Sequence, residues 1–310
     1  ELLEKTGFGE ADELFVVGDM IAKGPDSLGT LRLLMALDQR PNVHVLKGNM
    51  EFWHLALLDA QSPEGDRALL EQIREQVRYY GHALFQEMLD ELGLSVAGPE
   101  DVLAAKAAIR AGFEGEIAFM RGLADIVETQ RLIFVHGGIP TDDLDSLKAE
   151  NCVRFLKNDG YINQGHRFSK TLILGHWPVT LYHENRTCHL PFISRGQNMI
   201  GIDGGCGVKE DGQLNALILN GADPLEAETV FCDGFPVRVA GQDQKESEQW
   251  IDIDFRDGEI VILEEGPEFS LVKHCSTGYC LQVLNERMWA RQGNAAKCEF
   301  TDYALPVNRG

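Results

Sequence analysis

Apolar residues along the first fifty positions come in short runs that stop abruptly in polar turns. ELFVV at 13–17 gives out into GDMIAKGPDS, rich in Gly, Pro and Asp. SLGTLRLLMAL at 27–37 has helical spacing, with Asp26 or Ser27 available as N-cap. NVHVL at 42–46 is a second strand-like run, ending in KGNM, after which EFWHLALLDA opens another helix. Strand–turn–helix repeated twice predicts parallel strands with polar residues at their carboxyl ends, where open α/β sheets place ligands.

From 67 to 128 the spacing is helical and amphipathic, with Pro99 placed for the first turn of its second half. This predicts a helical insertion between strand ends that carry polar turns, bordering whatever cleft they form, with Tyr79, Tyr80, Phe85, Met88 and Phe119 mostly packing into a core. Strand character returns in RLIFVHGG (131–138), TLILGHWP (171–178), NMIGIDGG (198–205) and LNALIL (214–219). After about 226 the helical period disappears. EQWIDIDF and EIVILEE flank Asp257-Gly258 and read as a hairpin, and strands follow near LVKH, YCLQVL and TDYALPV. The expected organisation is an α/β domain over 1–225 and a separable, all-β accessory domain over 226–310, of the small Src-homology barrel type.

Composition narrows the function. The 310 residues suffice for two domains, and 28 Lys+Arg against 49 Asp+Glu give a formal net charge of −21. Such a chain repels a duplex phosphate backbone, so a nucleic-acid partner is disfavoured, although a local cation or bound metal still attracts one phosphate. No apolar run reaches the ~18 residues of a membrane span. Seven scattered cysteines, none in C-x-x-C, argue for free thiols in a reducing cytoplasm. The chain opens without Met on ELLEKTGF and stops at LPVNRG, and reads as a piece of a longer protein.

Four metal-ligand residue types each sit where an apolar strand ends in a Gly-containing turn: Asp19 in VVGDM, Asn49 in VLKGNM, His136 in FVHGG and His176 in ILGHWP. Each alone is ordinary, as a helix cap or a satisfied core histidine. Their repetition at four strand ends is what matters, because parallel strands bring those ends to one edge of the sheet. A shell of two imidazoles, a carboxylate and an amide oxygen suits Mn²⁺, Fe²⁺ or Zn²⁺.

These motifs, GD-x-x-x-x-GP (18–25), GN-x-E (48–51), HGG (136–138) and GH-x-P (175–178), resemble those of the calcineurin-like metallophosphoesterases over roughly residues 1–222. The likeness is to the bacterial serine/threonine phosphatase and symmetrical diadenosine-tetraphosphatase branch. It implies a four-layer α/β/β/α core and two divalent metals in the full-length protein, Mn²⁺ first, with Fe or Zn as alternatives. Asp19 would bridge them, while Asn49, His136 and His176 complete one shell. The family's Gly-Asp-x-His-Gly, which supplies the other shell, is expected upstream of the first residue.

Lys23 and Lys47 stand where the family uses Arg for phosphate, and Arg154 loosely matches a third such Arg; a surface salt bridge is its alternative reading. Lys supplies charge without the bidentate fork. Met50 replaces the usual His of Gly-Asn-His-Glu, and Ala22 the Asp that pairs with it. Losing a general acid costs about 10²–10⁴-fold, so residual chemistry favours good leaving groups. The implied activity is hydrolysis of a phosphoprotein or small phosphate ester by metal-activated water. The alternatives are a dinucleoside polyphosphate hydrolase and an impaired pseudo-phosphatase that only binds phosphorylated partners.

Overall fold

The middle strands carry unbroken apolar runs, LIFV at 132–135 and LIL at 172–174, rather than alternating ones, so both faces of their sheet must be covered. The computed structural model describes residues 1–147, 153–183, 187–209, 211–221, 223–236 and 239–309. The chain opens with α1 (Leu2–Thr6), β1 (Leu14–Val16), α2 (Ser27–Asp38), β2 (Val43–Val45) and α3 (Asn49–Asp59). Four helices follow: α4 (Pro63–Tyr80), α5 (Leu84–Glu91), α6 (Pro99–Gly112) and α7 (Glu114–Gly122). Next come β3 (Ile126–Glu128), β4 (Leu132–Val135), the short α8 (Leu144–Leu147) and α9 (Val153–Leu156), and β5 (Thr171–Leu174). Then β6 (Phe192–Ser194), β7 (Met199–Gly201), β8 (Leu214–Ile218) and β9 (Glu228–Cys232) complete the first of two compact units. That unit comprises Glu1–Tyr182 and His189–Gly234, and the second comprises His183–Cys188 and Phe235–Gly310.

In the first unit β1 and β2 pair in parallel. A five-stranded sheet has the order β3-β4-β5-β7-β6, with β4, β5 and β7 parallel and both edges antiparallel. Its side chains divide with period two. Ile133, Val135, Leu172, Leu174 and Met199 pack with Phe155, Tyr161 and Ile162 on one face. Phe134, Ile173 and Ile200 pack with Leu46, Phe15 and Leu217 on the other. Phe15 of β1 lies flat on Phe134 of β4, ring centroids 4.0 Å apart. On its far side the β1–β2 pair, through Val43, Val45, Leu14 and Val16, meets Leu34 and Leu37 of α2. Helix, sheet, sheet, helix is therefore the layering, in a mixed α/β fold.

Helices α4–α7 share a core with α2 and α3, in which Leu69, Phe85, Met88, Val102 and Phe113 pack with Leu28, Leu31, Leu55 and Leu58. Pro99 takes the first turn of α6, and Asp26 caps α2 by accepting the Gly29 N–H at 2.8 Å. The Glu87 carboxylate of α5 accepts the Ser27 and Leu28 N–H groups (3.2 and 2.7 Å), fastening this layer to the positive end of α2. Lys106 is buried in α6 but satisfied, its Nζ donating to Asp66 at 2.7 Å and to the Ala60 carbonyl at 2.9 Å. Two expectations need correction. Tyr79 and Tyr80 are exposed at the end of α4, since the buried stripe of that helix is Leu69, Leu70, Ile73 and Gln76. Residues 126–128 are a strand, not helix: Leu123 turns extended after α7, and the β-branched Ile126 and Val127 pair with Val135 and Phe134.

The second unit contains β10 (Ile251–Ile253), β11 (Glu259–Glu264), β12 (Phe269–His274), β13 (Cys280–Leu284), β14 (Met288–Gln292), β15 (Ala295–Cys298) and β16 (Phe300–Asp302). An antiparallel sheet in the order β13-β12-β11-β15-β14 covers Ile260, Ile262, Val272, Leu281 and Val283, together with Ile251 and Ile253 of β10. The predicted hairpin across Asp257-Gly258 does not form. Asp254 accepts the Arg256 N–H at 2.7 Å, residues Phe255–Asp257 coil into a 3-10 turn, and Gly258 has φ −85, outside the left-handed region a tight hairpin needs. β10 pairs instead with β16, and β11 with β12 and β15.

Candidate metal centre

Each candidate ligand stands just beyond a strand. Parallel pairing sets Val16 beside Val45 and Val135 beside Leu174, so the turns that follow all leave the sheets at the same end. The turns carrying Asp19 and Asn49 are pressed together. A Cβ on Gly18, which has φ +84, would lie 2.6 Å from the Gly48 nitrogen, and one on Gly48 would lie 2.2 Å from the Asp19 nitrogen. Neither position accepts a side chain, which is why GD and GN both begin with glycine. Three non-glycine residues here also sit at positive φ: Asp19 (54), Ala22 (84) and His176 (65). Backbone strain of this kind costs about 1–3 kcal/mol per residue and collects at functional sites.

The four side chains converge. Asn49 Oδ1 lies 3.1 Å from His136 Nε2 and 2.8 Å from His176 Nδ1. Asp19 Oδ1 lies 3.2 Å from His136 Nε2 and accepts the Met50 N–H at 2.9 Å. One ligand atom each from Asp19, His136 and His176 fall within 4.8 Å of one another. The outer ring nitrogens fix the tautomers. His136 Nδ1 donates to the Val17 carbonyl at 2.7 Å, and His176 Nε2 donates to Asp159 Oδ1 at 2.8 Å. In the neutral rings His136 Nε2 and His176 Nδ1 are therefore lone pairs, facing two oxygens that are also acceptors. Four lone pairs with no proton among them fit a divalent cation, and the carbonyl and carboxylate behind the rings hold them as metal ligands are commonly held.

The surrounding charges agree. Burial raises the Asp19 carboxyl, but His136, Lys23 and the Met50 amide together outweigh it and hold it well below the usual carboxylate range. Lys23 Nζ meets the other oxygen, Oδ2, at 3.2 Å. Burial depresses the His136 ring, yet Asp19 lifts it above its ordinary value, so with no ion bound a proton on Nε2 would compete for the same position. Behind Asp19 the fully buried Glu51 accepts three backbone N–H groups, from Gly48 (2.7 Å), Met20 (2.9 Å) and Asp19 (3.0 Å). Burial, with Asp19 beside it, pushes its carboxyl up to about 7. It ties the two glycine turns together.

Other residues of these motifs and strand ends make the following contacts. Lys47 Nζ pairs with Asp125 at 3.4 Å. Arg154, exposed on α9, lines a cleft with Trp53 and Lys157. Asp203 accepts the Gly205 N–H at 2.8 Å and adds to the negative field that raises Lys23. Met50 lends its amide to Asp19, while its side chain packs against the helical core.

Asp159 was not apparent from sequence. It lies in the polar KNDG stretch, where no periodicity or motif marks it, although it bonds His176 and receives Lys157 Nζ at 3.1 Å. Burial raises its carboxyl, but those two donors outweigh that and lower it. Glu51 was visible in GN-x-E, but its clamping of two turns was not.

Two comparisons bear on this arrangement. A family model for calcineurin-like phosphoesterases matches residues 1–198. The symmetrical bis(5'-nucleosyl)-tetraphosphatase of Cellvibrio japonicus is 47% identical over 57 residues, a stretch covering 18% of this chain and 20% of that relative. The alignment thus spans about a fifth of the relative's length. With 198 of 310 residues matched and the motif residues gathered as described, the chain belongs to the calcineurin-like phosphoesterase family.

Proposed function

We propose that this protein is a metal-dependent hydrolase of phosphate esters. The observation that carries the reading is the meeting of four ligand-type atoms, Asp19 Oδ1, Asn49 Oδ1, His136 Nε2 and His176 Nδ1, beside the Lys23 ammonium. The family implies two divalent ions, and these four residues would hold one of them, Mn²⁺ by our reading. A bound divalent ion supplies polarisation of a phosphoryl oxygen and acidification of a water. The chain's own residues do the rest. Lys23 balances charge on the phosphate and on Asp19. Val17 and Asp159 keep both rings in the tautomer that presents a lone pair. Lys47 and Arg154 are proposed to add positive charge around the phosphate. The seven cysteines are scattered and none stands in C-x-x-C, which supports a reducing, cytoplasmic setting. Among the described residues no helix is long and apolar enough to cross a membrane.

Met50 cannot donate a proton to a leaving group, so substrates whose leaving group is already stable should be preferred over a serine alkoxide. That consideration, Ala22, and the likeness to a bis(5'-nucleosyl)-tetraphosphatase favour phosphate anhydrides of nucleosides as a second, finer reading over a phosphoprotein.

The test is turnover of p-nitrophenyl phosphate and of a phosphoserine peptide with Mn²⁺, by the full protein and by Asp19→Asn and Met50→His. Hydrolysis of the aryl ester that Asp19→Asn abolishes is expected, with Met50→His raising the peptide rate more than the aryl rate. No turnover of either substrate by the wild type would leave only the phosphate-binding pseudo-phosphatase.

A further inference from the structure

Helices α3 and α4 are joined by three residues, 60–62, and pack on each other. They therefore run in opposite directions, and the end of α4 returns beside the start of α3. Their relative level is set by His54, whose Nε2 lies 3.4 Å from the Gln76 side-chain amide and whose Nδ1 donates to the Met50 carbonyl at 2.7 Å. One turn back along α3 from His54 is Met50, next to the candidate ligand Asn49. One turn on along α4 from Gln76 is Tyr80.

Tyr80 continues the inward stripe of α4 that Leu69, Ile73 and Gln76 begin. Those three are buried, whereas Tyr80 is 38% exposed, because the helix ends at Gly81 (φ 79) and the core ends with it. The corner that follows is fastened to the turn carrying Asp19 and Lys23. Ala83, Leu84 and Phe85 share one core with Ile21 and Ala22, and Glu87 accepts the Ser27 and Leu28 N–H groups. Tyr80 thus stands at the rim of the helical layer, level with Met50 and over the Lys23 turn. Burial works against the Lys23 ammonium, but Asp19, Asp203 and the Tyr80 phenol, all within electrostatic reach, raise it above its ordinary value.

Lys23 Nζ in turn lies 3.2 Å from Asp19 Oδ2, so the phenol, the ammonium and the candidate ligands border one space. Among the described residues the Tyr80 hydroxyl has no hydrogen-bond partner, and its O–H is a free donor. A hydroxyl beside an ammonium suits an oxyanion, because a hydrogen bond to a charged oxygen is about twice as strong as one between neutral groups.

We propose that Tyr80 is a substrate-binding residue, its hydroxyl donating a hydrogen bond to an oxygen of the phosphoryl group that Lys23 attracts. The inference rests on the phosphoesterase reading and gives the helical layer a part in it. Tyr80 holds the phosphate, and no bond to it forms or breaks.

The experiment titrates inorganic phosphate, by calorimetry, into the full protein with Mn²⁺ and into Tyr80→Phe and Tyr79→Phe, and follows p-nitrophenyl phosphate hydrolysis by all three. Tyr80→Phe keeps the ring and removes one oxygen. It should weaken phosphate binding about tenfold or more, the effect of losing one hydrogen bond to a charged group, and lower kcat/KM to match. Its Mn²⁺ affinity without phosphate should equal that of the wild type, which a merely structural role for the corner would not allow. Tyr79→Phe should behave as wild type, since Tyr79 is 69% exposed and lies against Arg78. Unchanged phosphate affinity in Tyr80→Phe, or a Mn²⁺ affinity that falls as far as that for phosphate, would overturn the proposal. A wild type that binds phosphate through Tyr80 but hydrolyses no ester would sink the hydrolase reading and leave the contact standing. A wild type that binds no phosphate would overturn both.

Discussion

Asp159 shows how much one side chain outside the ligand set does. Its Oδ1 takes the Nε2 proton of His176 at 2.8 Å, and so turns the Nδ1 lone pair toward Asn49 and the candidate metal position. Without that acceptor the ring is free to change tautomer or rotate away. Asp159→Ala is therefore expected to weaken Mn²⁺ binding by about 10–100-fold, the usual effect of losing the partner behind a histidine ligand. Asp159→Asn, whose amide oxygen still accepts, should recover most of the affinity. Calorimetric titration reads both, and equal affinity for wild type and Asp159→Ala would refute the role. The convergence of the four candidate ligands was legible in the sequence because each terminates an apolar run, and strand ends are where a sheet gathers polar groups. Asp159 was not, because its loop has no period and it reaches the site only through the fold.

At the scale of elements, paired glycine turns and a shared carboxylate bring β1 and β2 into register with the site. A methyl on Gly48 would strike the Asp19 nitrogen at 2.2 Å and Asp19 Oδ1 at 2.4 Å, atoms that cannot yield without moving the ligand itself. Gly48→Ala should lower stability by about 1–3 kcal/mol, and Gly24→Ala, with nothing within 4 Å, should not. Thermal denaturation of the two variants decides it, and matching Tm losses would contradict the crowded-turn account. Where sequence reasoning misplaced an element, a long-range partner had outweighed a local signal. The Asp257-Gly258 dipeptide suits a hairpin locally, but Asp254 tightens the segment into a 3-10 turn and β10 finds β16 nearly fifty residues away. Ile126 and Val127 continue an apolar helical rhythm on paper, and they become a strand because β4 offers an open edge. The strand character read at 131–138, 171–178 and 198–205 corresponds to strands at 132–135, 171–174 and 199–201, whose apolar side chains pack on both faces of one sheet.

For the molecule as a whole, the apolar cores fall within separate units. The clusters around Phe85, Tyr161, Val45 and Phe134 contain only residues of the first unit, and that around Ile260 and Val272 only residues of the second. All four candidate ligands, Glu51 and Asp159 lie in the first. A chain ending after Gly234 is expected to hydrolyse p-nitrophenyl phosphate within about twofold of the intact rate, while circular dichroism reports a folded remainder. A folded truncation without turnover would assign a catalytic part to the second unit. The net charge of −21 sets the background for every anionic substrate, and on the proposed function the local cations Lys23, Lys47 and Arg154, with a bound divalent ion, would offset it around a phosphate.

The most direct test of the account is Mn²⁺ binding itself, measured by calorimetric titration of the full protein and of Asp19→Asn, Asn49→Ala, His136→Ala and His176→Ala. Affinity that falls at least tenfold in every variant, with folding retained by circular dichroism, is the predicted result. Binding of unchanged strength and stoichiometry across all four would mean that these side chains meet without holding a metal.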